Sequence, residues 1–183
     1  MRIITGKCKG RLLKVPDSKL IRPMTDRIKE SIFNYLNNII DFNGIVVCDV
    51  YAGSGSLGLE TYSRGAQAIH FIEKNFKIIQ TLKENISSCK AEEYSQVFNI
   101  EAKRFFGKTP IIQYDLILAD PPFFHDDIYD VYNLIIQNDF IKKDGILIMQ
   151  RSHQTEEKDI ENFQLKPEKR IGDSNIFVLQ PEY

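Results

Sequence analysis

Ile45-Val46-Val47-Cys48-Asp49-Val50-Tyr51-Ala52-Gly53-Ser54-Gly55-Ser56-Leu57-Gly58 sets the fold class. Residues 45–50 are apolar and largely β-branched, with one acid near the end, which is the composition of a buried strand. Gly53, Gly55 and Gly58 then match G-x-G-x-x-G, a glycine turn that opens a helix. The same alternation repeats outward from this point. Strands are expected over 68–72, capped by Glu73, then over 96–100, 114–119 and 145–149. Helices are expected between them: one ending near Gly65, one carrying Phe76, Ile79, Leu82 and Ile86, a short one through Phe105, and one over 127–137. Strands alternating with helices predict an α/β fold with a Rossmann-like, mostly parallel sheet covered on both faces. The tail pairs 163–165 with 175–179 around Gly172-Asp173, an antiparallel C-terminal hairpin.

Ahead of this core, residues 2–4 and 12–15 read as a small N-terminal β-hairpin around Gly6-Lys7-Cys8-Lys9-Gly10. Pro23 then opens a helix capped by Thr25 or Asp26, with Ile28, Ile32, Phe33, Leu36, Ile39 and Ile40 on one face. The chain reads as a single domain over 1–183, with a basic hairpin extension at 1–22 and the core at 44–183.

Asp120-Pro121-Pro122-Phe123 follows the strand over 114–119. Prolines cannot continue a strand, so the turn leaves a carboxylate, a free Pro121 carbonyl and an aromatic face at the strand's carboxyl end. Two acceptors can take both hydrogens of one NH2 group, and a ring can stack on the flat system that carries it. This suits the exocyclic amine of a nucleobase. The glycine turn is also formally a dinucleotide fingerprint, with Glu73 lying 20 residues after Gly53. Asp49 argues against that ligand, because it would set a carboxylate close to a pyrophosphate dianion. A ligand with a cationic centre fits better. S-adenosylmethionine carries a sulfonium and an ammonium, and its ribose diol suits the Glu73 carboxylate.

Asp49-Val50-Tyr51-Ala52-Gly53-Ser54-Gly55 together with Asp120-Pro121-Pro122-Phe123 resembles the class I S-adenosylmethionine-dependent methyltransferases that modify exocyclic amines. Arg2-Ile3-Ile4-Thr5-Gly6, Arg22-Pro23-Met24-Thr25-Asp26-Arg27, Ser63-Arg64-Gly65-Ala66 and Phe71-Ile72-Glu73-Lys74-Asn75 extend the likeness nearly end to end. They are similar to the RsmD-type 16S rRNA (guanine(966)-N(2))-methyltransferase family. The resemblance implies a guanine of small-subunit rRNA as substrate, in the assembled 30S particle. It implies Asp49, Tyr51, Gly53, Gly55, Glu73, Glu101 and Asp120 around the cofactor, and Asp120, Pro121 and Phe123 at the reacting amine. Related enzymes place an Asp at the position of Glu101, and the family often shows Glu where this chain has Gln150. Phe124 and His125 are further candidates for the target base.

Net charge is −1, but residues 1–29 hold nine basic residues against two acidic ones, +7, which leaves −8 for the remainder. Arg2, Lys7, Lys9, Arg11, Arg22 and Arg27 are therefore candidates for rRNA contact. A solvated basic surface is the commoner meaning of such a run alone. Cys8, Cys48 and Cys89 show no disulfide or zinc spacing, and His70, His125 and His153 form no ligand set, so no metal is expected. No apolar run approaches the ~20 residues of a membrane span, and a cytoplasmic monomer is expected. The rivals are an adenine-N6 or protein-glutamine methyltransferase sharing the motif, a nicotinamide-dependent oxidoreductase, and a non-catalytic RNA-binding protein.

Overall fold

The computed structural model describes residues 1–16, 24–122 and 126–180. Its strands are β1 (Val46–Val50), β2 (Ala68–Glu73), β3 (Ser95–Asn99), β4 (Tyr114–Ala119), β5 (Ile141–Ser152), β6 (Lys169–Ile171) and β7 (Ser174–Leu179). They form one sheet in the order β3-β2-β1-β4-β5-β7-β6. β1 pairs in parallel with β2 and β4, β2 with β3, and β4 with β5. β7 runs antiparallel to both β5 and β6. The chain moves outward from β1 through β2 to β3, then returns to the other side of β1 at β4. That reversal opens a crevice beyond the carboxyl ends of β1 and β4.

The central strands read as continuous apolar runs because both faces are covered. Leu116 and Leu118 of β4 join one core and Ile117 and Ala119 the other, the period-2 alternation of a strand. The first core takes the helices α1 (Asp26–Leu36), α2 (Ser56–Arg64) and α3 (Phe76–Ser88), through residues such as Phe33, Leu59 and Leu82. The second takes α4 (Ala102–Phe106), α5 (Asp127–Gln137) and α6 (Glu156–Phe163), through Phe106, Ile135 and Phe163.

Several expectations change. α1 is capped by Thr25, whose side chain accepts from the Ile28 N–H at 3.3 Å, but it ends at Leu36, whereas the sequence places its end at Gly44. Asn37 and Asn38 follow at once, and such side chains compete for backbone groups; Asn38 bonds the Asn34 carbonyl. Residues 163–165 are not a strand. Phe163 closes α6, whose first turn is acidic (Glu156, Glu157, Asp159), and the C-terminal hairpin is β6–β7. β5 is also longer than expected and runs from Ile141 to Ser152. The N-terminal hairpin is present in minimal form: an antiparallel bridge pairs Arg2 with Leu12, and backbone N–H groups of Ile3, Gly10 and Leu13 donate across it to Arg11, Ile3 and Met1.

That N-terminal turn is docked onto α2 rather than extended into solvent. Ile3 and Leu13 are buried in the first core. The Glu60 carboxylate, fully buried, accepts from the Ile4 N–H at 2.7 Å and the Thr5 N–H at 3.1 Å. Arg64 donates to it at 3.0 Å, and Lys29 lies 3.7 Å away. Lys29 is itself fully buried and donates to the Arg2 carbonyl at 2.5 Å and to Ser56 Oγ at 3.1 Å. Burial pushes its ammonium below the usual lysine range, against the pull of Glu60. Lys29 therefore leaves the count of cations open to RNA.

Glu60→Ala strands the Lys29 ammonium and two backbone donors inside the protein. It is expected to cost about 3–5 kcal/mol of stability in urea unfolding. Amide exchange at residues 4 and 5 should rise well above that of the sheet. Unchanged stability would mean that the N-terminal turn docks without this carboxylate.

Candidate active site

The crevice at the switch point is a cavity of about 780 Å³. Asp49, Tyr51, Gly53, Glu73, Glu101, Asp120 and Pro121 all line it, so the fold gathers these sequence candidates from the ends of four strands. Arg27, on α1, reaches the same wall, together with Met24 and Thr25. Gly55 is not part of the wall. It sits before α2 at φ 78°, and a Cβ there would lie 2.3 Å from Leu82 Cδ1, so its glycine serves the turn and the packing beneath. Phe123, Phe124, His125 and Arg22 lie outside the described residues.

Two acids brace the glycine turn. Asp49, buried at the end of β1, accepts from the Gly58 N–H at 2.8 Å. It thus satisfies a donor in the first turn of α2, which is the helix-capping role that competes with cofactor contact for this residue. Gly58 packs so closely on β2 that a Cβ would meet Phe71 Cε1 at 2.4 Å. Glu73 accepts from the Gly53 N–H at 3.1 Å and from the Asn75 N–H at 2.8 Å. It ties the turn after β1 to the turn after β2, and each oxygen keeps a lone pair for a hydroxyl. Gly53 has φ 54° and only the Tyr51 carbonyl, at 3.8 Å, near its absent Cβ, so the chain here is open to close approach. Tyr51 holds φ 60°, a sparsely populated conformation for a bulky residue and one that collects at functional sites. Burial and the Asp127 carboxylate push its phenol well above the usual range.

The electrostatics of the crevice are acidic. Burial pushes the Asp49 carboxyl well above its ordinary range; the Gly58 bond opposes this, and the nearby Asp120 and Glu73 add to it. Burial likewise pushes Asp120 up to about 7, and the Arg151 guanidinium holds it back. Crowded carboxylates of this kind fit a ligand that brings positive charge and hydroxyls, and they oppose a pyrophosphate. Ile72, Ile78 and Ile100 supply apolar wall for a flat ring. Glu101 precedes α4 without capping it, so its carboxylate makes no bond to that helix end.

The register Ala119 to Met149 between β4 and β5 brings Gln150 to the level of Asp120. Gln150 is buried, donates to Ser174 Oγ at 3.2 Å, and lines the cavity. Gly172, Asp173 and Ser174 of the C-terminal hairpin complete that wall. Sequence reading missed this contribution, because the hairpin's place beside β5 follows from antiparallel pairing and not from a motif.

Lys74 also lines the cavity, whereas the described candidates for RNA contact other than Arg27 sit apart from it. Lys7, Lys9 and Arg11 are exposed on the N-terminal turn, and Lys7 Nζ stands 3.5 Å above the Tyr62 ring. Arg2 meets Asp26 at 3.5 Å on the surface. His70 contacts the Tyr114 hydroxyl at 2.8 Å, and burial lowers its pKa, a structural role. Cys48 is core. Among the described residues no group of three or more metal-ligating side chains gathers, and no helix is long and apolar enough to cross a membrane.

Comparison with known proteins agrees with this geometry. The family model "Conserved hypothetical protein 95" matches residues 1–180. "Ribosomal RNA small subunit methyltransferase D" of Haemophilus influenzae is 33% identical over 175 residues, covering 94% of this chain and 89% of that one. Its Escherichia coli (strain K12) namesake is 35% identical over 152 residues, covering 82% and 74%. The solved structure "Putative methyltransferase yhhF from Escherichia coli" superposes with a TM-score of 0.83 at 30% identity, covering 100% of this chain and 98% of that one. The chain belongs to the family described as conserved hypothetical protein 95, the RsmD family.

Proposed function

We propose that this protein methylates the exocyclic N2 amine of a guanine in small-subunit ribosomal RNA, on the assembled 30S particle, acting as a cytoplasmic monomer with S-adenosylmethionine as donor. One observation carries the reading: the acid–carbonyl pair Asp120-Pro121 shares a single cavity with Glu73 and the buried Asp49. The names of the relatives, rRNA methyltransferases similar over most of the chain, support it.

The donor, when bound, supplies a methyl group activated by a cationic sulfur. Glu73 would accept from its ribose hydroxyls, Asp49 would face the methionine end, and Glu101 the adenine amine. The guanine N2 lone pair is delocalised into the ring, which makes the amine a poor nucleophile. Asp120 and the Pro121 carbonyl accept its two hydrogens, draw density onto nitrogen and fix its direction. Alignment of this kind is worth up to ~7–11 kcal/mol in favourable cases. Asp120 also stands where the departing proton can be received. A guanine in a duplex cannot reach the cavity, so the base must be unpaired or flipped. Lys7, Lys9 and Arg11 present positive charge for the RNA backbone.

Isothermal titration should show binding of S-adenosylmethionine or S-adenosylhomocysteine and none of NAD; the reverse would sink the methyltransferase reading. Glu73→Ala should weaken that binding by roughly 1.5–3 kcal/mol, the scale of a charge-assisted hydrogen bond.

In single-turnover methylation of unmodified small subunits, Asp120→Ala should bind the donor nearly normally and lose ~10²–10³ in rate. Asp120→Asn should fall between Ala and wild type. The anionic acceptor exists only above the carboxyl's pKa of about 7, so the wild-type rate should rise through neutral pH. That inflection should vanish in Asp120→Asn. Equal rates for Ala and wild type would make the motif structural.

Replacing Lys7, Lys9 and Arg11 with Ala should flatten the salt dependence of RNA binding, by roughly 0.7 in the log–log slope per lost contact, and leave donor affinity intact. An unchanged slope would return the turn to a solvated role.

A further inference from the structure

Gln150, near the end of β5, brings an unused acceptor to the crevice wall. The residue is 3% exposed and lines the cavity. Its Nε2 donates to Ser174 Oγ at 3.2 Å, while its Oε1 is buried without a hydrogen-bond partner. Buried polar atoms are nearly always paired, so an orphan in a residue that lines a ligand cavity calls for an explanation. The amide is held in place. β5 is paired with β4 on one side and β7 on the other, and the β5–β7 register sets Gln150 and Ser174 on one face of the sheet. The Ser174 bond uses the donor end of the amide and leaves the acceptor end over.

The register Ala119 to Met149 sets this amide level with Asp120, and Asp120 and Pro121 line the same cavity. If those two accept both hydrogens of the target amine, the next group along the base's Watson–Crick edge meets the wall beside them. That group distinguishes the nucleobases that carry an amine. In guanine it is N1–H, a donor. In adenine it is N1 and in cytosine N3, and both are bare acceptors. A third acceptor in this position pairs with guanine and sets lone pair against lone pair with either of the others.

We propose that Gln150 Oε1 accepts the N1–H of the target guanine and is thereby a specificity-determining residue for methyl transfer. This rests on the methyltransferase reading. Because the amide is already fixed by Ser174, little of its freedom is lost when the base enters.

The test uses 2-aminopurine, which keeps the amine at C2 but has a bare N1. Binding of guanosine and of 2-aminopurine riboside to the S-adenosylhomocysteine-loaded protein is measured by saturation-transfer NMR. Single-turnover methylation is measured on small subunits reconstituted with guanine or 2-aminopurine at the position that wild type methylates. The ratio of the two bases is read, so that a change in the rate of both cancels. Wild type should favour guanine. Gln150→Met/Ser174→Ala removes the amide without stranding the hydroxyl. It should shrink the ratio by roughly tenfold, the scale of leaving one buried hydrogen-bonding group unpaired, with affinity for S-adenosylhomocysteine retained. Gln150→Glu accepts through a carboxylate and, when ionised, has no donor, so it should keep the preference.

An unchanged ratio in the double variant, with methylation intact, would overturn the proposal and leave the methyltransferase reading standing; a second Asp120 oxygen would then meet N1–H. Loss of the preference in Gln150→Glu would also overturn it, because the amide would then act through Nε2 on the guanine O6. If wild type methylates no RNA while the nucleoside preference depends on Gln150, the recognition stands and the methyltransferase reading falls. If neither measurement shows a preference that depends on Gln150, the proposal falls.

Discussion

The carboxyl end of the sheet depends on two carboxylates that have exchanged water for backbone N–H donors. Asp49 holds Gly58 and Glu73 holds Gly53, so the turn after β1 is pinned at both ends. A glycine turn is permissive and would otherwise sample many conformations. Pinning it with acids fixes its shape and also sets its field. The donors stabilise the acids where they lie, while burial pushes the carboxyls of Asp49 and Asp120 above their ordinary range. The scaffold therefore sets several carboxyl groups around one cavity. The same turn sequence with a small neutral residue at Asp49 would suit a pyrophosphate.

A second buried carboxylate does for the N-terminal segment what Asp49 does for the turn. Glu60 receives two backbone donors, Arg64 and Lys29 from three directions. Asn85 of α3 holds the backbone of Lys14 by two bonds, and Met1, Val15 and Pro16 form part of the crevice wall. The basic residues beyond that wall stand on a braced turn, and less conformational entropy is lost when they meet a polyanion. The charge count of the segment overstates what it offers, since Lys29 faces inward as the counterion of Glu60.

Much of this was legible in the sequence. β4 and α5 fall at the expected boundaries, and β1, β2 and β3 lie within a residue of theirs, because each apolar run is bounded by a turn signal. The site was legible for the same reason: Asp49, Glu73 and Asp120 each sit where a strand stops. The failures share a physical cause. α6 was hidden because its apolar residues, Ile160 and Phe163, are few, and the signal lay in the acids of its first turn. β5 was cut short because Gln150-Arg151-Ser152 is polar, although antiparallel pairing with β7 and the crevice wall account for that polarity. Lys29 was counted as surface because nothing local to α1 reveals an acid 31 residues away on α2.

The departure at the end of β5 gains a meaning from the same electrostatics. Where the family resemblance leads one to expect Glu, this chain carries the neutral Gln150, followed at once by Arg151. Another carboxylate there would join Asp49, Glu73 and Asp120 in the same wall, and nearby like charges drive protons onto one another. Asp120, already near neutrality through burial alone, would move further from the state in which it can accept from an amine. The amide keeps an acceptor at that position without a fourth charge. An acid that burial already pushes toward its neutral form ionises more readily beside a neutral neighbour than beside another acid. The end of β5, polar and poorly strand-like in sequence, is where this chain supplies that neutral neighbour.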